Sequence, residues 1–153
     1  MKNLATFTDL YQLTMLQSYW REGMDEEATF DLFIRRQKDR DYFLVSGVTE
    51  ALRKLEDLKF SGDEIMFLYE QEQFSDDFVQ WLHSWEFNAD VWGVTDGQVM
   101  YEGQPILQVS GDIRETQLVE TLLLNQIGFQ TNIATKASHI AAKLDETEQR
   151  VIR

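Results

Sequence analysis

The chain has 153 residues, enough for one domain with a buried core, and its apolar and aromatic fractions of 43% and 12% exclude intrinsic disorder. Fourteen Lys and Arg face 27 Asp and Glu for a net charge of −13, which argues against a nucleic-acid surface, since such a surface needs a basic patch. Without cysteine, disulfides, thiolate metal sites and a cysteine nucleophile are excluded, and His83 and His139, the only histidines and far apart in sequence, argue against a histidine metal cluster.

The spacing of Leu10, Leu13, Leu16 and Trp20, and of Tyr11, Met15 and Tyr19, predicts a helix over 6–22. Thr6 and Asp9 have capping-box spacing, and Gly23 supplies the stop. Alternation over Ala28–Arg36 predicts a strand, with Tyr42–Val45 expected to pair beside it. Gly47 opens a helix to about Leu58. Ser61 and Glu64 form a second capping box, flanked by the staple pair Phe60 and Ile65, and open a helix over 62–70. Ser75 starts another, running to about Trp85. Between 90 and 110, valines and isoleucine are broken by Gly93, Asp96-Gly97, Gly103 and Pro105, which predicts short strands joined by tight turns.

From Asp112, with Glu115 at capping spacing, the pattern becomes helical: Leu118, Val119, Leu122, Leu123 and Ile127 share a face. Gly128 is expected to interrupt it, with a second helix from about Asn132. Residues 150–153 resemble the start of a strand. The order of elements predicts an α+β fold, helices packed on a small sheet. Its expected division is an amino-terminal α+β domain over 1–110, with the strand unit at 90–110, then a helical pair over 111–153.

Generic motifs identify no chemistry. There is no glycine-rich phosphate loop and no Gly-x-Ser-x-Gly elbow. Asp76-Asp77 could bind magnesium or could be first-turn acids favoured by the helix dipole. His83, among Trp81, Leu82 and Trp85, reads as a packed or surface histidine. Asp9 and Tyr11 could be a cap and a core aromatic. No stretch approaches the ~18 apolar residues of a membrane span, and residues 1–4 lead into no signal peptide, so a cytoplasmic location is expected.

Several segments, in order, resemble nicotinate phosphoribosyltransferases: Thr8-Asp9-Leu10-Tyr11-Gln12-Leu13-Thr14-Met15, then Ala28 to Arg36, Tyr42 to Val48, Phe78 to Leu82, Pro105 to Gly111, Glu120 to Asn125 and Ile133 to Ala137. The chain departs from the family pattern at Gln104, where glutamate is usual, at His139, where arginine is common, and near Gln37, where a proline is absent.

The resemblance implies the amino-terminal domain of a type II phosphoribosyltransferase, with the start of the α/β barrel missing or incomplete. Family members continue into that barrel through a Phe-Gly-x-Arg-Arg motif, expected just beyond Arg153. The implied reaction joins nicotinate to phosphoribosyl pyrophosphate, giving nicotinate mononucleotide for NAD biosynthesis. ATP, with Mg2+, drives it through a phosphohistidine in the barrel. The family implies a homodimer whose opening helix reaches the neighbouring active site. By this match Tyr11 lies on the nicotinate ring, Asp9 orients nearby groups, and Lys136 is either a ligand contact or a surface lysine. No catalytic or metal residue is expected in this stretch, which by itself is expected to be inactive and to bind no cofactor. The alternative is a non-catalytic binding or regulatory module derived from the same domain.

Overall fold

The computed structural model describes residues 4–38 and 40–151, the side chains of 145–151 excepted. Helix α1 spans Leu10–Glu22, later than expected, because the box is closed by Asp9 and Gln12 rather than by Thr6 and Asp9. Gly23, in the left-handed region at φ 67°, ends it, its N–H donating to the Trp20 carbonyl and that of Met24 to Tyr19.

Strand β1 (Glu27–Phe33) pairs antiparallel with β5 (Pro105–Asp112), and β3 (Asp90–Gly93) pairs on β5's other side, so the sheet order is β1-β5-β3. Phe30 opposes Val109 and Leu32 opposes Leu107, which puts these four on one face. The other face carries cross-strand polar pairs, Thr29 to Ser110 at 2.7 Å and Gln108 to Asp31 at 2.8 Å. The bulge between Leu32 and Phe33 ends the regular ladder, which is why β1 stops short of Arg36.

The expectation that Tyr42–Val45 pairs with β1 is corrected. Strand β2 (Phe43–Leu44) pairs with β4 (Val99–Met100) in a separate two-stranded sheet. The N–H groups of Leu44 and, just beyond the strand, Ser46 are taken by side chains of a long helix, α6 (Glu120–Val151). Leu44 N–H donates to Thr135 Oγ1 at 2.9 Å, and Ser46 N–H to Thr131 Oγ1 at 3.1 Å. Two threonine hydroxyls therefore occupy the place a third strand would take.

Helix α2 (Val48–Glu56) follows Gly47, which has no side chain to cap it. Asp96, in the 95–98 turn, supplies the acceptors instead: Oδ1 for Val48 N–H at 2.9 Å and Oδ2 for Thr49 N–H at 3.1 Å. Helix α3 (Gly62–Glu70) starts with the expected Ser61–Glu64 box. Helix α4 (Asp76–Leu82) is shorter than expected, since residues 83–85 close a turn back onto Gln80, Trp81 and Leu82. Its first-turn Asp76 and Asp77 are exposed, as is His83.

The helical pair is also corrected. A single turn, α5 (Ile113–Thr116), precedes α6, and α6 runs unbroken through Gly128. A helical glycine costs only about 1 kcal/mol, which the buried residues Leu122, Leu123 and Ile127 outweigh. Asp112 caps α5 through Arg114 N–H at 2.8 Å, while Glu115 turns away to accept from Asn88 N–H at 2.8 Å, so no box forms there. The strand expected at 150–153 is not formed at 150–151, which lie in α6; Ile152 and Arg153 lie outside the described residues. A strand needs an edge to pair with, and a helix needs only itself.

One core holds these elements together, with Leu16, Val45, Ala51, Phe78, Leu82 and Ile127 wholly buried within it. Where α2 meets α6 the backbones nearly touch. Gly47 sits at φ 97°, and a Cβ there would lie 2.9 Å from the Gln126 carbonyl oxygen and 3.0 Å from Gln130. Gly128 has open space around it. Gly47→Ala is expected to cost about 2–4 kcal/mol through strain and overlap, and Gly128→Ala to stabilise by up to about 1 kcal/mol. Urea midpoints of the two variants check both signs.

Candidate functional site

Helix α1 has two apolar faces. Gln12, Leu13 and Leu16 are buried in the core, whereas Tyr11, Met15 and Tyr19 form a stripe one turn apart along the other side. That stripe is one wall of a cleft of about 410 Å³. Phe30, Leu32, Leu107 and Val109 of the sheet form its floor, and Glu120, Leu123 and Leu124 at the start of α6 its far wall. Arg35 contributes a cation. The cleft is mainly apolar, and Tyr11 and Phe30 remain 48% and 47% exposed within it. An apolar concavity edged by few polar groups is the usual form of a small-molecule site.

Tyr11 stands at its mouth. Its hydroxyl donates to Glu120 Oε2 at 3.1 Å. Burial first, then the hydrogen bond to Glu120 and the charges of Glu120 and Asp9, raise the phenol above its ordinary value of 10.0. The hydroxyl is therefore a neutral donor at physiological pH. Asp9 lies beside it as the α1 cap, and its Oδ2 accepts from Thr121 Oγ1 at 2.9 Å. Of the two expected residues, Tyr11 lines the cleft, and Asp9 lies outside its lining as the cap of the same helix. Lys136 is elsewhere. It lines a second cleft of about 420 Å³ with Gln37, Lys38, Arg40 and His139.

Sequence reading missed Gln12, Glu120 and Thr121. Gln12 is wholly buried between α1 and α6. Its Oε1 accepts from Thr121 Oγ1 at 2.8 Å and from Thr8 Oγ1, and its Nε2 donates to the Gln117 carbonyl at 3.1 Å and to Glu120 Oε2 at 3.0 Å. The signal for it was present: a polar residue in register with Leu13 and Leu16 on the core face of a helix needs buried partners.

The lead into α1 is held from α3. Glu64, 2% exposed, accepts from Thr6 N–H at 2.8 Å and Thr6 Oγ1 at 2.9 Å on one oxygen, and from Ser61 N–H and Oγ, both at 2.8 Å, on the other. Glu64 thereby fixes the segment that delivers Asp9 and Tyr11.

A profile of the nicotinate phosphoribosyltransferase (NAPRTase) N-terminal domain matches residues 6–128. The chain belongs to that family. It is 40% identical over 139 residues to nicotinate phosphoribosyltransferase pncB2 of Mycobacterium tuberculosis, covering 90% of this chain and 30% of that protein. With the nicotinate phosphoribosyltransferase of Bacillus subtilis it shares 36% identity over 140 residues, covering 90% and 29%. The crystal structure of human nicotinic acid phosphoribosyltransferase superposes with a TM-score of 0.75 at 32% identity, over 85% of this chain and 27% of the human one. The chain therefore spans about 30% of the length of the curated nicotinate phosphoribosyltransferases of Mycobacterium tuberculosis and Bacillus subtilis. The α+β architecture, with helices on a small sheet, is that of the amino-terminal domain of these NAPRTases.

Among the described residues, no group of three or more His, Asp or Glu is arranged to hold a metal ion, and no helix is long and apolar enough to cross a membrane.

The Glu64 clamp has a pH signature. Burial opposes ionisation, but the hydrogen bonds from Ser61 and Thr6 outweigh it and lower the carboxyl below 4.5. With the folded value depressed, the stabilisation is complete above the unfolded value and is lost as pH falls through the folded one. Glu64→Gln is expected to cost about 2 kcal/mol at pH 7. Its deficit against the parent should shrink below pH 4, as compared by urea titration at both pH values.

Proposed function

We propose that this chain supplies the nicotinate-binding part of a nicotinate phosphoribosyltransferase, a transferase that joins nicotinate to phosphoribosyl pyrophosphate in NAD biosynthesis. The observation that carries the proposal is the placement of Tyr11, half-exposed, on the wall of a mainly apolar cleft in a chain similar to enzymes of that name. In this reading the pyridine ring lies against the phenol ring. An aromatic pair of this kind contributes about 0.5–1.5 kcal/mol beyond the area it buries. Asp9, tied to Thr121, is a fixed carboxylate beside the ring and would orient it.

The reaction forms a bond from the pyridine nitrogen to C1 of the sugar as pyrophosphate leaves. This stretch contributes orientation to that step. It lacks a phosphate loop and a metal-holding cluster among its described residues. ATP and Mg2+ belong, in this reading, to the part of the relatives' length that this chain does not span. The reading also places the protein in the cytoplasm as a homodimer, with the α1 end of each cleft facing the partner subunit, where Tyr11 and Phe30 would be covered.

The test uses an enzyme of the relatives' full length that carries this sequence. Tyr11→Ala is expected to raise the Kd for nicotinate about tenfold or more, with the circular dichroism spectrum unchanged. Unaltered nicotinate affinity in a folded Tyr11→Ala protein would remove the stacking role.

A further inference from the structure

Glu120 is the first residue of α6, where the helix dipole favours a carboxylate. That alone would explain an acid at this position. It does not explain where the carboxylate points. Its Oε2 receives both the Tyr11 hydroxyl at 3.1 Å and the Gln12 side-chain N–H at 3.0 Å. Gln12 cannot turn away, because its other oxygen and nitrogen contacts run to Thr121 and to the Gln117 carbonyl, and the residue is fully buried. A buried, fully partnered amide thus fixes the carboxylate, and the carboxylate fixes the far end of the phenol.

From this we infer that Glu120 is a positioning residue for Tyr11, setting the angle at which the ring faces the cleft. The inference rests on the nicotinate-stacking role proposed for Tyr11. The backbone of α1 holds the ring at one end and Glu120 at the other, across an interval of 109 residues. With its single proton committed to Glu120, the hydroxyl offers a ligand only its oxygen lone pairs. The ring face is what the cleft presents, so the preferred ligand is a flat aromatic that stacks rather than one that needs a donor from Tyr11.

A structural carboxylate and a positioning carboxylate respond differently to shortening. Glu120→Asp keeps the charge at the helix start but withdraws the oxygens from the phenol. In the full-length enzyme carrying this sequence, Glu120→Asp and Glu120→Ala are each expected to raise the KM for nicotinate about five- to tenfold. The loss should be carried by KM rather than kcat; both variants also weaken the bond from the buried Gln12 amide and should lower the melting temperature, whereas Tyr11→Phe, which leaves that bond intact, should not. Tyr11→Phe cuts the same bond from the other side and should raise KM to a similar degree. Combining Tyr11→Phe with Glu120→Asp should add almost nothing.

Additive effects in that cycle, or a wild-type KM in folded Glu120→Asp while Tyr11→Ala weakens nicotinate, would overturn the role of Glu120 and leave Tyr11's intact. If Tyr11→Ala itself leaves nicotinate unaffected, both fall together. If Glu120→Ala does not fold, Glu120→Asp and Tyr11→Phe complete the cycle without it.

Discussion

The amide of Gln12 is the constraint on which the arrangement of the cleft depends. It is wholly buried, and an unpaired buried amide would cost several hydrogen bonds' worth of free energy. Every partner outside its own turn lies more than a hundred residues away, on Gln117, Glu120 and Thr121. The Gln117 side chain returns the contact, donating to the Gln12 carbonyl at 3.2 Å. Apolar packing of Leu13 and Leu16 would tolerate a shift of α1 along its axis. Directional bonds at one buried amide do not, so α1 has a single register against α6. Because Tyr11 is the residue before Gln12 and Glu120 is one of its partners, the same constraint sets the mouth of the cleft.

The chain's acidity acquires a purpose in this light. Several of its carboxylates work as acceptors for backbone N–H groups at helix starts: Asp96 for α2, Glu64 for α3, Asp112 for α5. Negative charge at a helix amino terminus is stabilised by the dipole and by the unpaired N–H groups there. Burial alone would raise Asp96 and Asp112, yet both are held below the ordinary value of 3.8. For Asp96 the bonds come from Thr49 and Val48, and for Asp112 from Arg114. Ion pairs contribute less. Arg36 to Glu102, at 3.6 Å between mostly exposed side chains, is of the kind worth at most ~1 kcal/mol.

Local signals in the sequence were read well where they are self-contained. Ser61 and Glu64 cap α3 because a capping box needs nothing beyond its own turn. Gly23 stops α1 for the same reason, by adopting the left-handed conformation itself. Reading failed where a distant partner decided the outcome. Gly128 looked like a break, but the buried face of α6 carries the helix through it. The strand at Phe43–Leu44 was recognisable, yet its partner β4 lies beyond three intervening helices and strand β3, with nothing in the strand's own residues to name it. The candidate site divides in the same way. Tyr11 and Asp9 came from a resemblance, while the residues that fix them, Gln12 and Glu120, require the fold, because proximity across 105 to 109 residues has no local signature.

The composition of the cleft also bears on what could occupy it. Tyr11 and Met15 on one side and Phe30 and Leu124 on the other keep a third or more of their surface in water. Leaving so much apolar surface together in one concavity is unfavourable unless something covers it. Of its polar groups, the Tyr11 hydroxyl and Glu120 are already bonded to each other, and Asp31 is engaged by Gln108. An occupant that needed these three groups would have to break those bonds first, leaving Arg35 as the charged group it could still reach. A planar ring does not: it gains the apolar floor and the phenol face, and leaves the polar pairs intact. A cleft of this make-up suits a flat, largely apolar occupant better than a polar one.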